Sequence, residues 1–149
     1  MRLLSLAALL ALAACQSAAP VQTAATGLDH AALHVSDLGA SVAFYEEVFE
    51  LDEIPAPGDP AVIRWLGLDG AELHLIHYDG AVPPTTKAVH FALRVPDLDA
   101  LVDRVEALGV PYSDWPGAAS TLSVRGDGIR QIYVQDPDGY WIEVNDVVR

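Results

Sequence analysis

The stretch His30–Leu38, HAALHVSDL, is written again sixty residues later as His90–Leu98, HFALRVPDL, with six of nine positions identical. A repeat at this spacing marks two copies of one supersecondary unit. The first copy predicts a strand over Leu28–Ser36. Its alternation puts His30, Ala32 and His34 on one face and Ala31, Leu33 and Val35 on the other. Ser36 or Asp37 suits a helix N-cap, and Leu38, Val42, Tyr45 and Phe49 then form an apolar helical stripe. Pro55, Pro57 and Pro60 break the chain. Ala61–Leu68 and Ala71–Tyr78 read as strands joined by the turn pair Asp69-Gly70.

After a loop over Asp79–Thr86 the order begins again. A strand at His90 leads to a helix over about Asp97–Leu108, closed by Gly109. Strands follow near Ser120–Arg125, Ile129–Gln135 and Tyr140–Asp146. Asp69–Leu75, DGAELHL, aligns with Asp138–Val144, DGYWIEV. The predicted fold class is α+β: two repeated β-α-β-β-β modules, residues 28–79 and 87–149, forming a cupped mixed sheet. Arg125–Ile129, RGDGI, reads as a hairpin rather than a phosphate loop, because no helix pattern follows it.

The N-terminus reads differently. Arg2 precedes an apolar run, Leu3–Ala14, too short to span a bilayer but suited to a secretion signal. It ends in Leu12-Ala13-Ala14-Cys15, and Cys15 is the chain's one cysteine. This segment resembles the lipobox of bacterial lipoproteins. The expectation is a signal peptide over 1–14, lipidation at Cys15, a flexible tether over 15–27, and a membrane-anchored place in the cell envelope, on the periplasmic face in a Gram-negative cell. With no second cysteine, no disulfide assists the domain, so its core must suffice.

Net charge is −13, and removal of Arg2 with the signal makes it −14. Such a surface repels nucleic acid, and an anionic substrate would need a local cation, which a metal supplies.

The repeat aligns chemistry as well as structure. His30 and His90 occupy equivalent places in the two first strands, and His74 and Glu143 in the two last. If a pseudo-twofold axis relates the modules, these four converge as metal ligands. Imidazole with carboxylate suits one divalent transition metal (Zn, Ni, Fe, Mn or Co) over Ca or Mg. His34 shares the face of His30, and Gln131 and Tyr133 precede Glu143, so all three are pocket candidates. Glu72 is the fallback ligand if the register slips by two. Trp65, Trp115, Tyr133 and Trp141 offer stacking surfaces, whereas His77 and Arg130 read as structural.

Four segments carry a family resemblance: Leu28–Asp37 (LDHAALHVSD), Ser41–Tyr45 (SVAFY), Val89–Leu93 (VHFAL) and Asp136–Glu143 (DPDGYWIE). They resemble the vicinal oxygen chelate superfamily, which includes glyoxalase I, fosfomycin-resistance proteins, methylmalonyl-CoA epimerase, extradiol dioxygenases and bleomycin-resistance proteins. The resemblance spans about residues 28–146. It implies paired modules around a divalent metal, with metal positions at His30, His90 and Glu143 and His74 at the fourth place. Glyoxalases of this family usually carry a carboxylate or amide where His74 stands, which leaves Glu143 as the catalytic base. The function implied is a glyoxalase-like lyase or isomerase acting through an enediolate on a small substrate with vicinal oxygens. The alternatives are an Fe(II) extradiol-type dioxygenase using His30, His90 and Glu143, and a non-catalytic drug- or ligand-binding protein. A symmetric homodimer is the expected oligomer.

Overall fold

A computed structural model of the chain describes residues 26–82 and 84–148. The signal segment, Cys15 and nearly all of the tether lie outside the described residues. Among these residues no helix is long and apolar enough to cross a membrane.

The element order is the predicted repeat. Module 1 runs β1 (His30–Val35), α1 (Leu38–Phe49), β2 (Glu53–Ile54), β3 (Ile63–Leu68) and β4 (Ala71–His77). Module 2 runs β5 (His90–Arg94), α2 (Leu98–Ala107), β6 (Tyr112–Ser113), β7 (Ser123–Val124), β8 (Arg130–Gln135) and β9 (Trp141–Asn145). Each module makes its own mixed sheet. The first has order β1-β4-β3-β2, and the second β5-β9-β8-β6 with β7 on β8. β1 lies parallel to β4 and β5 parallel to β9, and every other pairing is antiparallel.

The caps repeat too. Asp37 accepts from the Ala40 amide at 3.0 Å, and Asp97 from the Ala100 amide at 3.0 Å. Each satisfies an amide that a helix N-terminus leaves without a partner. The expected strand over Ser120–Arg125 shrinks to Ser123–Val124, because Ser120 sits at φ 49° and takes the backbone out of the sheet. β2 and β6, two residues each, were not predicted; such short strands carry no periodicity. The hairpin over Arg125–Ile129 is present, with Gly128 at φ 86° and the Arg125 amide on the Ile129 carbonyl at 2.8 Å.

Both helices pack into one core with the alternate residues Leu33, Val35, Leu73, Leu75, Ile132, Val134, Ile142 and Val144. Val48 is fully buried, while Phe49, expected on the helix's inner stripe, only packs against the core's edge. Strand alternation therefore turns the other parity outward: His30, Ala32, His34, His74 and Trp65 on the first sheet, and His90, Glu143, Asn145, Gln131, Tyr133 and Trp141 on the second.

Two of the segments that carry the resemblance, Ser41–Tyr45 and Asp136–Glu143, bond to each other. The Tyr45 hydroxyl donates to Asp136 at 2.8 Å, and the Ser41 hydroxyl to Asp138 at 3.1 Å. Asp138 also accepts from the Ser36 amide at 2.9 Å and the Ser36 hydroxyl at 2.7 Å. The β8–β9 turn of module 2 thus latches onto the start of α1 in module 1. Burial, followed by the neighbouring Asp136 carboxylate and its hydrogen bond, pushes the Tyr45 hydroxyl well above its ordinary pKa, so it remains a donor.

Candidate metal and substrate site

Module 1 presents a stack of rings. Trp65 and His74 are cross-strand partners, and their rings lie 4.1 Å apart and 3° from parallel. His30 covers the other face of His74 at 4.2 Å. Nε2 of His74 meets the Glu72 carboxylate at 2.8 Å. Glu72, the fallback ligand, therefore faces His74 and engages its Nε2. His30 is held differently. Its Nδ1 meets Asp29 Oδ2 at 2.8 Å, which leaves Nε2 free.

Module 2 presents a hydrogen-bonded carboxylate. Glu143 Oε2 accepts from the Tyr133 hydroxyl at 2.6 Å, and Oε1 accepts from the Asn145 amide at 2.8 Å. Arg125 approaches Oε1 at 3.5 Å, and His90 Nε2 lies 3.5 Å from Oε2. Burial alone would raise the Glu143 pKa. The bonds from Tyr133 and Asn145 and the charges of His90 and Arg125 outweigh it, so the carboxyl sits below its ordinary value and is ionised at neutral pH. Tyr133 is pushed far up, first by burial and then by its bond to Glu143, and keeps its proton.

His90 repeats the arrangement of His30. Its Nδ1 meets the Lys87 carbonyl at 2.7 Å, so this nitrogen carries a proton and Nε2 is turned toward Glu143. Metal-binding histidines are commonly oriented in this way, by an oxygen on the nitrogen that does not bind. Both first-strand histidines thus have Nδ1 held by a local oxygen.

The structure brings together His30 with His74, and His90 with Glu143 and Tyr133. It does not bring the four predicted ligands together within one chain: among the described residues no group of three or more His, Cys, Asp or Glu could hold a metal ion. The donor chemistry fits a divalent transition metal, but each module offers only part of a coordination set. His34 lies apart from both clusters and stacks on Tyr78 at 4.6 Å. Gln131 does belong to the site, donating to the Tyr133 hydroxyl at 3.1 Å. His77 bonds Asp79 at 3.0 Å, and Arg130 pairs with Asp99 and Asp146, outside either cluster.

Three contributors escaped the sequence reading. Asn145 had a signal, since it shares the parity of Glu143 two residues on. Arg125 and Lys87 had none, because both reach the site across loops. Lys87 Nζ donates to Ser113 Oγ at 2.9 Å and the Asp114 carbonyl at 2.6 Å, and lies over the Trp141 ring at 4.7 Å. It fastens the loop bearing Trp115, a half-exposed ring 6.1 Å from His90.

Comparison with known proteins places this geometry. The Glyoxalase/Bleomycin resistance protein/Dioxygenase superfamily matches residues 27–144. Over 123 residues the chain is 30% identical to the uncharacterised protein YwbC of Bacillus subtilis, covering 78% of this chain and 94% of that one. It is 30% identical over 155 residues to the lactoylglutathione lyase of Pseudomonas putida, covering 82% and 86%. Among solved structures, the oxidase ChaP-H2 superposes with a TM-score of 0.69 at 24% identity, covering 83% and 94%.

Proposed function

The chain belongs to the Glyoxalase/Bleomycin resistance protein/Dioxygenase superfamily, and from that premise we propose that it is a metal-dependent lyase or isomerase of small substrates with vicinal oxygens. The observation that carries this reading is the matched pair of histidines. His30 and His90 are equivalent in the repeat, and each has Nδ1 tied to a local oxygen, with His90 Nε2 turned toward Glu143. His30, His90 and Glu143 would hold the metal. His74 would support His30 through the ring stack, or serve as a fourth ligand once released from Glu72.

Each chain offers half a coordination set on each module. We therefore assign the complete site to two copies, with His30 and His74 of one facing His90 and Glu143 of the other. The signal and Cys15 would place this dimer at the envelope, anchored by lipid.

A bound divalent metal supplies Lewis acidity toward the paired oxygens. The protein supplies the base. Glu143, ionised and released from the metal, would take a proton at a carboxylate oxygen from a carbon α to a carbonyl and return it to the neighbouring carbon. The Tyr133 hydroxyl keeps its own proton throughout and holds Oε2 in place. Asn145 does the same for Oε1. Trp115 and Trp141 flank this cluster and limit water.

The first test is metal content of the full chain, purified without chelator or nickel resin. About one metal per site, lost in His30→Ala and in His90→Ala, is expected. Mixing those two variants tests the shared site: a mixed dimer has one site with both histidines intact, so about a quarter of all sites regain metal. No metal after reconstitution with Zn, Ni, Mn and anaerobic Fe would leave a ligand-binding module. Turnover is read as deuterium exchange from solvent into an α-hydroxy carbonyl substrate.

One observation favours a second reading. With Nε2 of His74 on Glu72, the free donors are two histidines and one carboxylate, the set of non-haem Fe(II) oxygenases. Oxygen uptake with a catechol by the iron-loaded protein, without solvent exchange, would select it.

A further inference from the structure

Along the second sheet from Glu143, on the same face, module 2 opens into a cavity of about 250 Å³. Its walls include Tyr112, Ser113, Ala119, Tyr133, Gln135 and Trp141. Strand register fixes its place. Tyr133 stands opposite both Glu143 and Ser113, and Trp141 stands opposite both Gln135 and His90. A step of two residues along a strand is about 7 Å, so the cavity adjoins the His90–Glu143 pair. Tyr133 belongs to both places, with its hydroxyl on Glu143 Oε2 at 2.6 Å and its ring in the cavity wall. Ala119 and Gln135 are exposed, so the mouth is open to solvent.

The polar groups of the wall are turned to partners in the protein. The Tyr112 hydroxyl donates to Glu106 at 2.8 Å, and the Gln135 amide donates to the Gly139 carbonyl at 2.9 Å. Ser113 Oγ accepts from Lys87 Nζ at 2.9 Å. Lys87 also donates to the carbonyls of Asp114 at 2.6 Å and Trp115 at 3.4 Å, so its three protons have three acceptors. It lies over the rings of Tyr133 and Trp141 at 5.3 and 4.7 Å, and so braces three walls at once. What remains for a ligand is mainly the carbon of the rings and of Ala119. An apolar cavity of about 150 Å³ already holds benzene.

We propose that this cavity receives an uncharged ring of the substrate, carried about one to three carbons from the two metal-directed oxygens. The substrate is then an aryl or cycloalkyl compound with vicinal oxygens. A carboxylate tail would find the Lys87 protons committed and Glu106 and Glu143 just behind the tyrosine rings, and an ammonium would meet the Lys87 charge. The inference rests on the metal reading above. The cavity acts in specificity and its residues touch no reacting atom.

The test uses the full chain loaded with Zn and a series of hydroxamates, which chelate through vicinal oxygens. Acetohydroxamate has no tail. The others carry a phenyl or a carboxylate on linkers of about one to three carbons. The best phenyl member should bind roughly tenfold more tightly than acetohydroxamate, from the apolar area it buries, and the carboxylates should gain nothing. Ala119→Phe fills the cavity from its mouth and should abolish most of the phenyl preference. Ala119→Leu should reduce it by less, which keeps the test sound if Ala119→Phe folds poorly. Phenyl members that bind no better than acetohydroxamate or the carboxylates overturn the subsite, and so does a preference that survives both variants. If no hydroxamate binds and no metal is retained, the metal reading itself has failed. The cavity is then decided on the metal-free chain with 4-fluorobenzyl alcohol, followed by fluorine NMR. Its signal should broaden with the unmutated protein and stay sharp with Ala119→Phe, and a signal that stays sharp with both overturns the subsite as well.

Discussion

Module 1 and module 2 began as the same element order and now do different work at equivalent positions. Trp65, His74 and His30 form a ring stack in the first. Tyr133, Glu143 and His90 form a carboxylate network in the second. The cross-strand partner of the central residue is an indole in one case and a phenol in the other. The indole lies flat on the imidazole with its N–H unpaired, whereas the phenol donates to the carboxylate. One module therefore packs ring on ring, and the other keeps a carboxylate charged and aimed.

The largest effect should expose this asymmetry. His90→Ala removes a proposed ligand, and metal affinity should fall roughly 10³-fold, taking about 10–16 kcal/mol for a full site shared among its ligands. His74→Ala removes a support beneath a ligand and should cost about 10–100-fold. Metal titration by competition with a chelator reads both. Equal losses would break the comparison and return His74 to the coordination sphere.

The latch is the next contrast. The module 2 turn gives Asp136 and Asp138 to α1, and Tyr45 answers from a fully buried position. The matching module 1 turn gives only Asp69, paired with Arg94 on the surface. At the places matching Ser41 and Tyr45, α2 carries Leu101 and Val105. Tyr45→Phe leaves the Asp136 acceptor without its donor and should cost about 1–3 kcal/mol. Arg94→Ala should cost about 0–1 kcal/mol. Urea denaturation separates the two. Asp136 adds a pH signature. Burial, ahead of its hydrogen bonds, raises its pKa from the ordinary 3.8, so the folded state prefers it protonated. Its contribution is then complete below about pH 3.8 and declines as pH rises through the raised value. Asp136→Asn should remove that decline, which a stability profile measured upward from pH 3.8 would show.

Much of this was legible in the sequence because it is written twice. The repeat set both histidines at equivalent places and carried the element order. The ring stack was not legible, since alternation puts Trp65 and His74 on one face but does not say which ring lies over which. Nor was the separation of His30 and His74 from His90 and Glu143 within one chain: a repeat relates positions by symmetry without stating whether the symmetric mate lies in the same chain. Lys87 and Arg125 were invisible for another reason, as each reaches its partners across a loop with no periodic pattern.

The smallest contrast lies at the helix ends. α2 stops at Leu108 and turns through Gly109 at φ 68°, whereas α1 turns through Glu50 at φ 56°. A side chain at positive φ costs about 1–2 kcal/mol that glycine avoids. Gly109→Ala should therefore destabilise by about 1 kcal/mol, and Glu50→Gly should relieve a similar strain. The second change also loses something, because Glu50 pairs with Arg104 at 2.8 Å. That pair is largely exposed and contributes about 0.2–1 kcal/mol. Arg104 keeps its bond to the Val48 carbonyl at 3.1 Å in either case, so the helix end stays tied to α2. The balance favours glycine by a few tenths of a kcal/mol, within reach of paired thermal melts. Repeating Glu50→Gly in an Arg104→Ala background removes the ion pair from both sides of the comparison. The gain should then grow, and a gain that shrinks instead would mean that Glu50 sits at positive φ without strain.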